Sequence, residues 1–376
     1  WKVRNGEPFY KIQKFKIGDR FFKIPIYTTN QFQTGGLLIL SILIKIFPSF
    51  IKKFFLKKIS FLNILKKFDL ILDLSEGDSF TDLYGIKRML VYGFVKIIPI
   101  NLGISVIMLP QTVGPFRLLP SKILAKWILN RVEKICVREP ESKKIILEII
   151  NKKDKLISSF DLGFLLSAKK IKNSSLFAKL RWAPSAVGIN ISGLIYDNNQ
   201  RKKILKKNFN YSELIKDIIV KLINISPNST IFLVPHVYSV NKGIKYDDLA
   251  ATFKIYNNLP DNIKEKIFIL EKNYSCSELK WFIGNLSFFV GTRMHSCISA
   301  ISSCVPTVFI SYSHKSLGII ENLGLKECAL DMKLLNEEQI LKRISDIFEK
   351  KDFIKKKLIR VIPQTKENIL KICNTF

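Results

Sequence analysis

Four short loops in the sequence carry glycine or side chains that bind anions or carry protons. They read Ser75-Glu76-Gly77-Asp78-Ser79, Gln111-Thr112-Val113-Gly114-Pro115, Thr292-Arg293-Met294-His295 and Ser311-Tyr312-Ser313-His314-Lys315. Arginine holds a carboxylate or phosphate through two parallel hydrogen bonds, and lysine acts on phosphate as a mobile point charge. Histidine titrates near neutral pH, so His295 is the natural proton carrier. The sequence therefore predicts an anion pocket that contains a titratable group.

Arg138 is a further candidate, because it ends its own predicted strand in the string Cys136-Val137-Arg138-Glu139-Pro140. Each candidate, taken singly, also suits an ordinary structural role. The alternatives are a core or capping position for His295, an ion pair with Glu139 or Glu141 for Arg138, the surface for Lys315, and turns of positive φ for Gly77 and Gly114. The prediction of a functional site rests on the ordered set of loops.

The elements that position these loops follow from the hydrophobic pattern. Short apolar runs alternate with longer amphipathic ones, which is typical of βα units around parallel sheets. The predicted strands are 70–74, 105–109, 135–138, 187–191, 230–234, 267–270, 288–291 and 307–310. The predicted helices are 121–133, 141–150, 212–225, 277–284, 296–304 and 337–350, with a capping box at Ser275 and Glu278. Each loop follows a strand and precedes a helix, where backbone N–H groups receive anions.

The chain length predicts more than one domain. At roughly 150 residues per domain, 376 residues suggest about two. A polar stretch at 168–184 is the predicted linker. We expect an N-terminal α/β domain at 1–168 on the acceptor side, a C-terminal α/β domain at 185–350 on the donor side, and a helical segment at 351–376. The chain begins at Trp1, so we expect the first domain to lack its natural N-terminus.

The composition is strongly basic. Lys and Arg total 61 against 31 Asp and Glu, which gives a formal net charge of +30. This balance predicts an anionic partner, which could be nucleic acid, acidic lipid or a phosphorylated or carboxylated substrate. Six cysteines without a CxxC pair disfavour a zinc module and a disulfide framework, and three scattered histidines indicate no metal site. We expect a cytoplasmic protein.

One segment, 37–68, could contact a membrane. It carries seven lysines, no acidic residue and many Phe, Ile and Leu side chains. The pattern permits peripheral binding to the anionic inner face of a membrane, but two ordinary helices with solvated lysines are the favoured interpretation. Its apolar runs are shorter than the roughly 20 residues of a membrane span.

The ordered strings resemble the polysaccharide pyruvyl transferase family. Gly291-Thr292-Arg293-Met294-His295-Ser296-Cys297-Ile298-Ser299-Ala300 and the following Val305 to Lys315 are similar to its C-terminal signature. Upstream, Leu109 to Phe116 is similar to its glutamine-glycine-proline loop and Val137 to Ser142 to its arginine loop. Asp73 to Gly85 is similar to its first glycine-rich loop, and Asp161 to Phe164 to its closing acidic turn. The similarity spans residues 73–325 in matching order.

The resemblance implies two Rossmann-like domains that face each other across a cleft, as in glycosyltransferase-B-like enzymes. It also implies transfer of pyruvate from phosphoenolpyruvate to a sugar diol as a ketal, without a cofactor. The implied site residues are Arg138, Arg293, His295 and Lys315, with His295 as the general acid. Gly77, Gln111, Gly114, Ser311 and Tyr312 would line the site. Asp78 is the candidate base and Glu76 the second. The saccharide acceptor could be lipid-linked.

Three other functions remain open at this point. A glycosyltransferase that uses a nucleotide sugar would share the architecture, although Glu271 and Glu278 lie seven residues apart where eight is usual for such enzymes. A nucleic-acid-binding protein is disfavoured, because no basic stripe is interleaved with aromatic residues. A family member that only scaffolds polysaccharide assembly is the third.

Overall fold

The computed structural model describes most of the chain and divides it into two compact units. The described residues are 9–17, 20–28, 36, 39, 41–42, 60–172, 178–180, 183, 185–238 and 246–375. Unit 1 is Trp1–Ser159 and unit 2 is Phe160–Phe376. Each unit contains a parallel β-sheet with helices between the strands, so both are Rossmann-like α/β units.

Unit 1 contains an antiparallel hairpin and a four-stranded parallel sheet. The hairpin pairs β1 (Phe9–Ile17) with β2 (Arg20–Thr28). The sheet has the order β3-β4-β5-β6, formed by β3 (Leu70–Asp73), β4 (Ser105–Gln111), β5 (Lys134–Val137) and β6 (Leu156–Ser158). The helices are α1 (Ser60–Leu65), α2 (Ile86–Asn101), α3 (Leu119–Leu129) and α4 (Pro140–Leu147), with 3-10 turns at Ser75–Gly77 and Lys153–Lys155.

Unit 2 contains a six-stranded parallel sheet. Its strands are β7 (Ser185–Asn190), β8 (Ser229–Leu233), β9 (Ile267–Ile269), β10 (Phe288–Gly291), β11 (Thr307–Ser311) and β12 (Ala329–Asp331). Its helices are α5 (Gly193–Tyr196), α6 (Asn198–Leu205), α7 (Tyr211–Ile225), α8 (Asp248–Asn257), α9 (Asp261–Lys264), α10 (Cys276–Gly284), α11 (Met294–Ile301), α12 (His314–Glu321), α13 (Glu337–Glu349) and α14 (Lys351–Lys371). The 3-10 turns are Leu162–Leu165, Lys326–Cys328 and Ile372–Thr375.

The strand order of unit 2 locates a crevice. The sheet runs β12-β11-β10-β7-β8-β9, so the chain builds outward from β7 in one direction and then returns to build outward from β10 in the other. The order reverses between β7 and β10, and ligands of open parallel sheets bind outside the carboxyl ends of the strands at such a reversal. Side chains that follow β7 and β10 are therefore the first to consider.

Apolar burial accounts for the short continuous hydrophobic strands of unit 2. Every residue of β10 and β11 is buried, as expected for central strands covered by helices on both faces. α7 turns an apolar stripe that includes Leu214, Ile218 and Leu222 into the same core. α14 adds Leu358 and Ile362, so the C-terminal helix is part of the unit 2 core.

The structure confirms all eight strands and all six helices that the hydrophobic pattern predicts, although their ends shift by up to four residues. It also confirms the capping box, in which Ser275 accepts the Glu278 N–H and the Glu278 carboxylate accepts the Ser275 N–H. The pattern missed the hairpin, β6, β12 and the helices α1, α2, α5, α6, α8, α9 and α12. β6 and β12 have three residues each and end in Ser158 and Asp331, so neither forms an apolar run, and α2 contains Gly93 and Pro99, which weaken the helical signal.

The division between the units falls nine residues before the predicted boundary at 168. The physical reason is that the turn Leu162–Leu165 packs with unit 2, where Phe164 is fully buried. Of the segment 37–68, only residues 39, 41–42 and 60–68 are described, and the rest lies outside the described residues. Within the described part of the chain, no helix is both long and apolar enough to span a bilayer.

Candidate active site

Arg138 joins three strand-end loops in unit 1. It follows β5 and is buried, and its Nε and Nη2 atoms donate to Thr112 Oγ1 at 3.1 and 3.0 Å. Glu139 Oε2 lies 3.5 Å from Arg138 Nε, which is the ion pair that the structural alternative predicted. The Thr112 N–H donates to the Gly77 carbonyl at 2.7 Å, and a Cβ on Gly77 would lie 3.3 Å from Arg138 Nη1. The loops after β3, β4 and β5 therefore meet at this guanidinium.

A buried charge network supports the first of these loops. Asp73 ends β3 and its carboxylate lies 3.1 Å from Lys96 Nζ, and it accepts hydrogen bonds from Ser75 Oγ at 3.0 Å and from Gln111 Nε2 at 2.9 Å. Burial lowers the pKa of Lys96, and the Asp73 charge opposes that effect. The network holds Ser75, Glu76 and Gly77 in left-handed conformations with φ of 45°, 52° and 83°. Such strain in consecutive residues is typical of functional loops.

The carboxylates predicted as bases lie in the same loop. Asp78 Oδ2 accepts a 2.6 Å hydrogen bond from the Tyr84 hydroxyl, and Glu76 forms a 2.7 Å ion pair with Arg88. The Glu76 carboxylate is mostly exposed and is paired with the Arg88 guanidinium. Both carboxylates therefore have a partner within unit 1, and Asp78 as the base stays a prediction.

The loop after β4 has a fixed backbone around Gly114. Its φ is +76°, and a Cβ at this position would lie 3.1 Å from Ile145 Cγ2, so both the backbone and the packing require glycine. The Gly114 N–H donates to the Phe80 carbonyl at 2.9 Å, and Ser142 Oγ accepts the Val113 N–H at 2.8 Å. Gly114 therefore holds this loop against the loop that follows β3.

In unit 2, Asp248 connects the ends of three strands. Its fully buried carboxylate accepts the N–H groups of Gly193, His236 and Val237 at 2.8, 3.2 and 3.0 Å. It also accepts Arg293 Nη2 at 2.7 Å and Nε at 3.1 Å. Gly193 follows β7, His236 follows β8 and Arg293 follows β10. One carboxylate thus fixes the backbone around the crevice that the strand order locates.

Asn190 fixes Arg293 from the other side. Its Oδ1 accepts the Arg293 N–H at 2.9 Å and the Ser296 hydroxyl at 3.1 Å, while its Nδ2 donates to the Val234 carbonyl at 2.9 Å. Burial lowers the pKa of Arg293, but the Asp248 charge and its hydrogen bonds outweigh burial, so the pKa is raised overall. Arg293 is a permanent, oriented cation directly outside β10.

His295 lies two residues after Arg293, as the second residue of α11. Its side chain is 56% exposed, so it is not the core histidine of the structural alternative. His295 Nε2 lies 4.0 Å from Asp161 Oδ1, which also accepts the Gly163 N–H at 2.7 Å. The acidic turn assigned to the end of the first domain therefore belongs to unit 2 and faces the proposed general acid.

The loop after β11 contributes a defined backbone turn. Ser311 Oγ donates to the Ser313 carbonyl at 2.9 Å and accepts the Ser313 N–H at 3.1 Å. Tyr312 is half-buried beside it. Lys315 is the second residue of α12, and its side chain lies outside the described residues.

Sequence reasoning missed three residues around the crevice of unit 2. They are Asn190, Tyr211 and Asp248. The Tyr211 hydroxyl accepts the Ser192 N–H and bonds the Thr292 hydroxyl, both at 2.9 Å. Burial, together with the charges of His295 and Arg293, lowers the pKa of His236 to about 4, so its ring is neutral at pH 7. Position at the end of a strand marks His236 and could have identified Asn190, but no sequence signal distinguished Asp248 from the neighbouring helix cap Asp247.

A buried lysine supports the turn that carries Asp161. Lys280 Nζ donates to the Gly163 and Phe164 carbonyls at 3.4 and 3.3 Å. Burial and the charge of Lys366 lower the pKa of Lys280 to about 8, against an ordinary value of 10.5. The unfolded chain therefore binds more protons between pH 8 and 10.5, so stability should rise with pH across this window.

We expect Lys280→Met to stabilise unit 2 by about 2 kcal/mol at pH 7 and to abolish the increase of stability between pH 8 and 10.5. Urea denaturation from pH 7 to 10.5 measures both effects. The exposed Lys272→Met is the matched control and should behave as the parent does. The prediction is contradicted if the stability of the parent and that of Lys280→Met change in the same way between pH 8 and 10.5.

The structure thus gathers the predicted residues into two groups. Gly77, Asp78, Gln111, Gly114 and Arg138 lie at the carboxyl ends of β3, β4 and β5 in unit 1. Arg293, His295, Ser311, Tyr312 and the backbone of Lys315 lie at the carboxyl ends of β10 and β11 in unit 2. Within the described residues, no three or more His, Cys, Asp or Glu side chains are grouped as metal ligands would be.

Comparison with solved structures shows the fold. An α,α-trehalose-phosphate synthase from Burkholderia xenovorans superimposes with a TM-score of 0.58 at 11% identity, over 100% of this chain and 90% of that chain. A UDP-N-acetylglucosamine 2-epimerase from Listeria monocytogenes, described as putative, superimposes with a TM-score of 0.54 at 9% identity, over 89% of this chain and 76% of that chain. At these identities the likeness concerns the fold alone, which is glycosyltransferase-B-like.

Comparison of sequences shows the family. The amylovoran biosynthesis protein AmsJ of Erwinia amylovora is 22% identical over 310 residues, which cover 81% of this chain and 71% of that protein. The family description of polysaccharide pyruvyl transferases matches residues 14–314, a range that contains both groups of strand-end residues except Lys315. The chain is therefore a transferase that belongs to the polysaccharide pyruvyl transferase family.

Proposed function

We propose that the chain transfers pyruvate from phosphoenolpyruvate to two hydroxyls of a saccharide, forms a cyclic ketal and releases phosphate. The observation that carries this proposal is the exposed His295 imidazole, which lies two residues after the fixed cation Arg293 and 4.0 Å from Asp161. A donor with two anionic groups and a carbon to be protonated requires a cation and a proton carrier at the same place.

In the proposed reaction, the donor gains one proton and the two acceptor hydroxyls lose one each. His295 protonates the methylene carbon of the donor, and C2 becomes oxocarbenium-like. A sugar hydroxyl attacks C2 and gives up its proton, for which Asp78 is the proposed base. The bond between C2 and the phosphate oxygen then breaks, and the second hydroxyl closes the ketal. Of the two hydroxyl protons, one replaces the proton that His295 gave and one leaves with phosphate.

The cations have separate proposed tasks. Arg138, Arg293 and Lys315 would hold the donor phosphate and carboxylate, since both anions must remain fixed while the charge on the phosphate grows. Fixed charges aimed at a leaving group usually supply a large share of the rate enhancement. The donor already contains its leaving group, so the reaction as proposed requires no resident cofactor.

The acceptor is proposed to be a saccharide of a polysaccharide or of its lipid-linked precursor. The similarity to a protein of amylovoran biosynthesis supports an exopolysaccharide. Family membership also favours pyruvyl transfer over a nucleotide-sugar reaction.

Phosphate release tests the proposal directly. The chain is incubated with phosphoenolpyruvate and either a β-linked galactoside or an N-acetylmannosamine acceptor, and phosphate and ketal product are measured together. We expect phosphate release that depends on the acceptor, with an equal amount of ketal. Transfer from UDP-galactose combined with no reaction of phosphoenolpyruvate would overturn the proposal.

A further inference from the structure

One stretch of unit 1 carries basic residues and no acidic ones. Residues 83–132 contain seven Lys or Arg residues and no Asp or Glu. Lys96 is fully buried in the network with Asp73, and the other six are exposed. These six are Lys87, Arg88, Arg117, Lys122, Lys126 and Arg131. Arg88 is paired with Glu76, which leaves a large excess of positive charge on α2, α3 and the turns that precede them.

Large apolar side chains are exposed among these cations. Leu119 and Ile123 are 69% and 62% exposed and lie one helical turn apart on α3, while Leu118 and Tyr84 are each 50% exposed and Leu83 is 39% exposed. We call these five residues the apolar face of unit 1. Isolated exposed apolar residues are normal, but several adjacent ones indicate an interaction surface.

Hydrogen bonds and packing keep the apolar face together. The buried Asp82 carboxylate accepts the N–H groups of Arg117 and Leu118 at 2.7 and 2.8 Å, which joins the turn that carries Leu83 to the start of α3. α2 and α3 pack closely, because a Cβ on Gly93 would lie 3.0 Å from Leu124 Cδ2. The two sides of the apolar face are therefore parts of one rigid surface.

We propose that the apolar face of unit 1 and the exposed lysines and arginines of α2, α3 and the preceding turns bind the surface of an anionic lipid bilayer. Leucine, isoleucine and tyrosine side chains enter the boundary between headgroups and acyl chains, while the surrounding cations attract acidic headgroups. The apolar side chains thus suit the acyl-chain boundary, and the cations suit the acidic headgroups. Nucleic acid would satisfy the cations alone and would leave the aliphatic side chains in water.

This inference does not depend on the donor or on the chemistry at His295. It also differs from membrane contact through 37–68, because all of its residues lie between 83 and 131. Binding at this surface would hold the carboxyl ends of β3, β4 and β5, which belong to the same unit, at a constant distance from the bilayer.

Vesicle flotation of the full chain tests the proposal. The vesicles are phosphatidylcholine alone or phosphatidylcholine mixed with phosphatidylglycerol. We expect binding to the anionic vesicles, weaker binding at high salt, and little binding to phosphatidylcholine alone. Leu119→Ser combined with Ile123→Ser should lower the partition coefficient by about tenfold or more. Lys122→Ala combined with Lys126→Ala should also weaken binding.

Matched changes on α14 provide the controls. Phe353 and Ile359 are 68% and 53% exposed, and Phe353→Ser combined with Ile359→Ser should leave the partition coefficient unchanged. Lys355→Ala combined with Lys356→Ala is the control for charge, since both lysines are exposed. Failure of the parent to float, or equal losses in the α3 and α14 variants, would overturn the proposal. Thermal unfolding checks that every variant is folded.

Discussion

Replacement of His295 by glutamine should lower turnover by roughly 10²- to 10⁴-fold, which is the usual contribution of a positioned acid or base. Glutamine retains a hydrogen-bond donor but cannot deliver a proton to carbon. The His295 side chain is 56% exposed, so the change should alter the free energy of unfolding by no more than about 0.5 kcal/mol. Acceptor-dependent phosphate release and urea denaturation of the same preparation measure both quantities.

The neighbouring Met294→Leu is the matched control for the histidine, because it conserves volume and introduces no polar group. Its turnover should stay close to that of the parent. Asp161→Asn removes the charge beside His295 and can still accept the Gly163 N–H, so it should slow turnover less than the histidine change. Normal turnover in His295→Gln would show that another group protonates the donor.

Replacement of Asp248 by alanine should destabilise unit 2 by about 3–5 kcal/mol. The change leaves the mostly buried Arg293 guanidinium without its counter-charge, and breaking one side of a buried ion pair typically costs this much. The N–H groups of Gly193, His236 and Val237 lose their acceptor as well. For a unit of this size the loss corresponds to a fall in Tm of about 10 °C.

The adjacent Asp247→Ala is the control for this prediction. Asp247 caps α8 by accepting the Ala250 N–H at 3.0 Å, and loss of a cap typically costs about 1 kcal/mol. Calorimetry of the two variants should therefore give clearly different values of Tm. Similar small losses would contradict the assignment of Asp248 as the connection between three strand ends.

The hydrophobic pattern predicted five of the six strands of unit 2 for a physical reason. Parallel strands covered on both faces must be apolar throughout, so strands such as β10 and β11 are visible as short apolar runs. Carboxyl ends of neighbouring parallel strands meet at one edge, and loops after such strands could therefore be grouped before the structure was known. Arg293 and His295 were selected by this argument, and both lie within the range 14–314 that the family description matches.

The ion pairs that fix the site could not be predicted from the pattern, because they join distant parts of the chain. Arg293 pairs with a carboxylate 45 residues earlier, and nothing near Asp248 in the sequence marks it as more than a helix start. Lys96 resembles any lysine on an amphipathic helix, yet it is fully buried against Asp73. Local propensity carries no information about such pairings. β6 and β12 have three residues that end in Ser158 and Asp331, so they form no apolar run, whereas the three residues of β9 are all apolar.

The position of α14 affects the order in which the protein is completed during synthesis. α14 follows every strand of the unit 2 sheet in the sequence, and it packs against the turn Leu162–Leu165, which precedes every one of them. That turn is flanked by Asp161, the partner of His295. The ribosome therefore releases the whole sheet before the helix that closes over the turn, so the geometry around His295 is expected to be among the last features of unit 2 to form as the chain emerges.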